Sequence, residues 1–469
     1  MALAIGCGQP NATFTTSEGT KGLPREARRG FEVEVNGEDV EISGIEDYLL
    51  ENFGTPHELV AWLRLPVDFG GQKGVVGSQD SAEPASNLKV DVENGETITG
   101  AASLVWLSGD SAGETVKISG YDAETGVVKL DEKVTAAKGT TFIINPGRNL
   151  ADGRRLYMTH CSHCHGTAGD GAGPTAEYLN PKPRDYRHGT FKFTSTKKDS
   201  RATTNDLKRI VKLGIPGTYM PSFMLLDGDE LDTIIEYVRF LAMRGQYERL
   251  LVAEVADYST EAIKSRVANG ESKSDVIDEL KDLMTSSLPT VSDDNATDIG
   301  KSWVNAELEE SRVTPSVGRV EDTLASRARG RALFLSKDVN CANCHGPNGL
   351  GNGPQTEEYE LDGGKPKALP GLYDDWGNIV KPRNLTTGIY RGGRRPIDIF
   401  CRIYSGIKGA KMTPYGGKIK DEEIWDIVNY VLSIPHEDSV SADAATTEQP
   451  VSKPATESEV APSPEDAGE

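Results

Sequence analysis

The chain has 469 residues, 37% hydrophobic and 26% charged, with negative mean hydropathy; this is too long for one core and implies roughly two to four domains of an ordinary soluble protein. A formal charge of -21 argues against nucleic acid as partner, because phosphate binding requires a cationic face. No apolar run approaches the ~18 residues needed to span a bilayer, and the best, "IIEYVRFLAM", is interrupted by Glu236 and Arg239.

The N-terminus, "MALAIGCGQPN", has small residues before Cys7, as at the end of a bacterial lipoprotein signal, without the charged n-region of an export signal. Either the natural start lies upstream and Cys7 becomes an acylated anchor, or Cys7 is a stray thiol in a flexible leader. Residues 1–35 read as leader and linker. Residues 36–86 read as partly helical, through "GIEDYLLENF" and "PHELVAWLRL". Residues 87–146 alternate with period two, as in "ETVKISGYDAETGVVKLDEKV", which predicts a small β-rich domain, an antiparallel sheet or barrel. It carries no evident chemistry.

Two later segments, 147–245 and 326–436, match each other in order. The first runs "GRRLYMTHCSHCHGTAGDGAGP", "PKPRDY", "GIPGTYMPSF" and "DELDTIIEYV"; the second runs "GRALFLSKDVNCANCHGPNGLGNGP", "VKPRNL", "GIKGAKMTPYG" and "DEEIWDIVNYV". Pro174 and Pro354 each lie nine residues after a motif histidine, and Asp206 and Asp398 each precede Met220 and Met412 by fourteen. Each unit closes with an i, i+3, i+4, i+7 pattern, Leu231, Ile234, Ile235 and Val238 or Ile424, Ile427, Val428 and Val431, so each terminal helix should carry one apolar stripe. The second copy adds "LDGGKPKALPGLYDDWGN", which its Gly and Pro content marks as a surface loop. Residues 246–325 read as a helical connector. Residues 437–469, acidic and nearly free of large apolar side chains, read as a disordered tail.

Four of the six cysteines sit in Cys161-Ser-His-Cys164-His165 and Cys341-Ala-Asn-Cys344-His345. On a helical turn, cysteines three apart project to one side and the next histidine reaches over the same object. This suits a flat macrocycle: C-x-x-C-H is the signature of covalent haem c, with two thioethers and a proximal imidazole. A zinc reading needs both pairs to meet as one four-cysteine site and leaves both histidines unexplained. A redox dithiol needs an α/β context that neither repeat offers. A sixth iron ligand is commonly a methionine thioether. Met220 and Met412 occupy equivalent Gly/Pro-bounded loops, 55 and 67 residues after His165 and His345; the bland alternative is core filler. His188, in "RDYRHGTF", would compete with Met220; His163, inside the C-x-x-C loop, reads as outward-facing, His160 precedes the motif, and His57 and His436 lack supporting context. Cys401, in "PIDIFCRIYSG", reads as a small buried apolar residue.

Both repeats resemble class I c-type cytochrome domains, by CxxCHG, the following Gly-Pro, and a methionine loop before a terminal helix. The layout is also similar to bacterial dihaem cytochromes akin to the cbb3-type oxidase subunit III family, although their membrane helix has no counterpart. The resemblance implies a mainly α fold: two class I cytochrome c domains joined by a helical connector, with a small β-rich N-terminal insertion. It implies two covalent haem c groups, iron ligated by His165 with Met220 and by His345 with Met412. It further implies that Pro174 and Pro354 offer carbonyls to the histidines, and that Arg184 and Arg383 pair with haem propionates, against the alternative of solvated loop arginines. Tyr157 with Tyr237, and Phe334 with Tyr430, are expected where first and last helices cross. The expected function is electron transfer in a bacterial respiratory chain, without enzymatic activity of its own. The rivals are a catalytic dihaem oxidoreductase, peroxidase-like or sulfur-oxidising, and a haem subunit docked in a membrane complex through the β-rich segment or connector. Redox proteins are the expected partners, and the periplasm or a membrane surface the expected location.

Overall fold

The computed structural model describes residues 13–35, 37–78, 84–93 and 102–436; Cys7 and the acidic tail lie outside the described residues. Short helices α1 (Glu18–Lys21) and α2 (Arg25–Arg29) lead into an antiparallel pair, β1 (Phe31–Val35) and β2 (Glu38–Ile42), and then helix α3 (Ile45–Phe53). Strands β3 (Gln72–Ser78), β4 (Ala85–Val92), β5 (Ala102–Trp106), β6 (Thr115–Asp122), β7 (Val127–Val134) and β8 (Thr141–Ile144) form a closed barrel in the order β3-β4-β7-β6-β5-β8. Burial alternates residue by residue along β5, as the two-residue period of a strand demands. Leu104, Trp106, Val128 and Phe142 fill the interior.

The barrel corrects two expectations. It makes the chain only partly α, and it begins at Gln72, inside the stretch read as partly helical. β3, "QKGVVGS", hides its alternation because Gly74 stands at a packed position: a Cβ there would come 2.5 Å from the Phe142 ring. The sequence signal was erased by the close packing that the strand makes.

The first repeat supplies α4 (Arg148–His160), α5 (Ser162–His165), α6 (Thr204–Leu213) and α7 (Gly228–Glu254). The connector supplies α8 (Thr260–Ala268), α9 (Lys273–Ser286) and α10 (Leu288–Glu307). The second repeat supplies α11 (Leu324–Leu335), α12 (Ala342–His345), a short pair β9 (Leu361–Asp362) and β10 (Lys365–Pro366), then α13 (Pro396–Ser405) and α14 (Asp421–Ser433).

α7 starts at a capping box, with Asp227 accepting from the Glu230 N–H at 2.8 Å and the Glu230 carboxylate accepting from the Asp227 N–H at 3.2 Å. Its predicted stripe is buried, but the helix runs on past residue 245 and is covered on a second face as well. Phe53 from the N-terminal segment and Leu280, Met284, Leu288 and Trp303 from the connector share one core with Tyr237, Phe240 and Tyr247. The connector is therefore part of the first core, and the single stripe was too narrow a reading. Polar residues on the second face pair with one another. Arg239 binds Glu236 at 2.7 Å, and Glu236 also accepts from the Asp68 N–H at 2.9 Å. Glu248 accepts from the Thr20 hydroxyl and the Ser17 N–H, both at 2.6 Å. The two charges that interrupt "IIEYVRFLAM" are thus a buried, hydrogen-bonded pair. Among the described residues no helix is long and apolar enough to cross a membrane.

In both repeats the first and last helices cross where the first has a glycine. A Cβ on Gly153 would come 2.1 Å from the Thr233 carbonyl oxygen, and one on Gly330 2.0 Å from that of Asp426. This contact lets Tyr157 meet Tyr237 at 5.2 Å between ring centroids, and Phe334 meet Tyr430 at 5.4 Å, as expected. Such aromatic pairs contribute ~0.5–1.5 kcal/mol beyond their buried area. Gly153→Ala and Gly330→Ala must push the helices apart; each should cost about 1–3 kcal/mol, read as a lower Tm of the haem-loaded protein.

Candidate functional site

Each motif folds as one helical turn. Cys161 closes α4 by donating its N–H to the Tyr157 carbonyl at 2.8 Å, and its own carbonyl then accepts from the N–H of Cys164 at 3.1 Å and of His165 at 2.9 Å. Cys341 does the same for Cys344 at 3.2 Å and His345 at 2.9 Å. So short a helix leaves its last carbonyls without intrahelical donors, and the Gly-rich loop that follows supplies them. Gly171 and Gly351 donate to the carbonyls of His165 and His345 at 2.9 and 2.7 Å, and Gly173 and Gly353 to those of Cys164 and Cys344, both at 3.1 Å. The glycines after each motif therefore fold the loop back onto the turn.

The carbonyl that orients each imidazole is not the proline's. Nδ1 of His165 lies 3.1 Å from the carbonyl oxygen of Arg184, and Nδ1 of His345 lies 3.2 Å from that of Arg383. Pro174 and Pro354 are exposed beside the turn. The physical reason is that the Gly-Pro segment is committed to capping the turn, whereas the Lys-Pro-Arg segment passes behind the ring. That segment is docked by the Tyr186 N–H on the Gly169 carbonyl and the Leu385 N–H on the Gly349 carbonyl, both at 2.7 Å. Tyr186 also stacks on the His165 ring at 4.7 Å.

Burial lowers the pKa of His165 to about 4 and that of His345 in the same direction, so both rings are neutral near pH 7. With Nδ1–H donating to a carbonyl, Nε2 keeps a free lone pair for a metal. Burial pushes the thiols of Cys161 and Cys341 up to about 12. They are neutral thiols packed against the first and second cores, and neither motif is bridged by a disulfide. Among the described residues no group of three or more His, Cys, Asp or Glu side chains is placed to hold a metal ion, so the two pairs do not meet as a four-cysteine zinc site. Two thiols and a neutral imidazole on one turn fit covalent haem c.

The methionine loops are also alike. α6 and α13 end at Gly214 and Gly406, with φ of 67° and 69°. The Ile215 N–H then donates to the Met220 carbonyl at 3.1 Å, and the Ile407 N–H to the Met412 carbonyl at 3.2 Å. Both methionines are half-buried, and Met412 packs against the second core. The rival ligand, His188, stands 5.0 Å from the Trp376 ring in the other repeat. His160 lies against Phe223, His163 is exposed, and Arg154 contacts His57. Cys401 is buried in the second core, as expected.

Arg184 is not a solvated loop residue, and Arg383 is partly covered. The Arg184 guanidinium lies 3.6 Å over the Trp376 ring, and burial lowers its pKa to about 10. Arg383 donates Nε–H to the Ile389 carbonyl at 2.8 Å and lies against Gly217 of the first repeat. Trp376 belongs to the insertion read as a surface loop. Its turn instead clasps the first repeat, with Asp374 also 3.4 Å from Nζ of Lys192. The only sequence hint was a tryptophan in an otherwise polar, Gly-rich stretch.

Residues 150–242 and 327–435 each match the cytochrome c family, which implies covalently bound haem c and haem-based electron transfer. No curated protein matches the sequence. A chain of the Kuenenia stuttgartiensis reducing HAO-like protein complex is similar at 22% identity and a TM-score of 0.42, over 60% of this chain and 95% of that one.

The repeats differ in some of their contacts to the motif: Tyr186 stacks on His165 where the second repeat has Leu385. The Tyr157 hydroxyl donates to the Gly166 carbonyl at 2.8 Å, where the second repeat has Phe334. Tyr157→Phe should therefore cost only about 1 kcal/mol, seen in thermal unfolding, with the haem spectrum unchanged.

Proposed function

We propose that this chain is a dihaem electron carrier, with one iron held by His165 and Met220 and the other by His345 and Met412. The observation that carries the reading is the repetition of three independent elements in the same order: the CxxCH turn, the imidazole-to-carbonyl bond, and a glycine-started loop closed on its methionine. When bound, each haem supplies one-electron exchange between Fe(III) and Fe(II). The chain's residues do the rest. Four thiols anchor, two imidazoles are held neutral and aimed, and the methionine loops present a soft thioether that favours Fe(II).

Irons held by a histidine and a methionine each would have no open position for peroxide or sulfur chemistry, which favours a carrier over a catalytic dihaem protein. Haem c is attached outside the cytoplasm in the resembling family, which supports a periplasmic or membrane-surface location. A chain of charge -21 steers basic redox partners by long-range attraction, in encounters that weaken with salt. A membrane respiratory complex is one such partner, with the barrel as the element available for docking.

Intact mass should show two haems per chain, falling to one in the Cys161→Ser/Cys164→Ser double variant. Methionine-to-iron charge-transfer absorption should integrate to two haems. A resting protein with one high-spin haem would overturn the carrier reading.

A further inference from the structure

The arginines of the two Lys-Pro-Arg elements each make contacts in two directions. Through the backbone, Arg184 accepts from His165 and Arg383 from His345, at 3.1 and 3.2 Å. Through the side chain, each reaches the other repeat. A Cβ on Gly217 would come 2.9 Å from the Arg383 guanidinium, and Arg391 adds a bond to the Gly217 carbonyl at 3.4 Å. Arg184 covers one part of the Trp376 indole, while another edge of that ring abuts Gly409, where a Cβ would come within 2.4 Å.

Gly217 and Gly409 are the same position in the two loops. Each lies three residues before its methionine, Met220 or Met412, and both have positive φ, 75° and 69°. Each histidine-orienting segment is therefore one arginine away from the other repeat's methionine loop, directly in one direction and through one indole in the other. Duplication alone does not require this, since Trp376 comes from an insertion that the first copy lacks. The surrounding interface is polar and tied. Ser405 donates to the Thr196 carbonyl at 2.9 Å, Nζ of Lys408 to the Thr196 hydroxyl at 2.6 Å, and Arg209 lies 3.7 Å from both Asp206 and Asp398. Loops held this way do not relax independently.

We propose that Arg184 and Arg383 are positioning residues that couple the two haem sites, each tying the proximal histidine of its own repeat to the methionine loop of the other. A change of charge at one iron strengthens or weakens the bond from its histidine to the arginine carbonyl, and the same residue's side chain bears on the other site. Coupling of this kind is reciprocal, so each site's affinity for an electron depends on the other's state. The inference rests on the reading of both sites as His/Met haems.

The test is spectroelectrochemical titration of the full-length, haem-loaded protein. Met220→His and Met412→His each delete one methionine charge-transfer band and so mark which potential belongs to which repeat. Arg383→Ala removes the side chain and keeps the carbonyl that holds His345; the potential marked by Met220→His should fall, because a cation that favours Fe(II) is lost. Trp376→Ala should shift the potential marked by Met412→His, and Arg383→Lys, which keeps charge without the planar fork, should shift less than Arg383→Ala. A local structural role for Arg383 moves only the potential marked by Met412→His, and that result, or no shift at all, overturns the coupling. If instead the two methionine variants leave the charge-transfer bands intact, the ligand reading has failed and the coupling falls with it.

Discussion

Everything in each site depends on one hydrogen bond, from Nδ1–H of the motif histidine to the carbonyl of an arginine. It fixes the tautomer and the ring plane, and so leaves Nε2 as the nitrogen with a free lone pair. The bond exists because two segments share the work around a single helical turn. The Gly-rich loop satisfies the carbonyls at the turn's end, which frees the Lys-Pro-Arg segment to lie behind the ring. The glycine crossings of first and last helices then hold that turn at a set depth, and a methyl group at Gly153 or Gly330 would occupy the space of a backbone carbonyl.

The same constraint explains the contact between the repeats. A backbone carbonyl tied to histidine leaves its own arginine side chain directed away from the ring, and in both copies the other repeat receives it. The insertion in the second copy completes this by placing Trp376 between Arg184 and the Met412 loop. The polar residues of α7 follow a comparable logic on the opposite side. Glu236, Arg239, Arg244 and Glu248 are buried because the N-terminal segment and connector fold over them, and their pairing is what makes that burial tolerable.

Much of this was legible in the order of residues. A CxxCH turn is local chemistry: two thiols and an imidazole within five residues need no tertiary information to be recognised. The repeat made the second site and both methionines visible, because identical offsets survive where single residues are ambiguous. Aromatic pairing at the helix crossing followed from the same alignment. β3 was missed because glycine at a packed position removes the side chain on which strand periodicity is read.

By itself, then, the sequence determined the two attachment motifs, the paired methionine loops, the terminal helices and the β-rich character of the N-terminal segment, since each is written in spacing over a few residues or in repetition. Only the tertiary structure decided which carbonyl holds each histidine, that Arg184 and Arg383 cross to the opposite repeat, and that the insertion is a clasp. Those outcomes depend on which backbone groups remain unpaired after the local turns have formed, and on which surfaces then meet. Neither is encoded in the spacing of residues along a single segment.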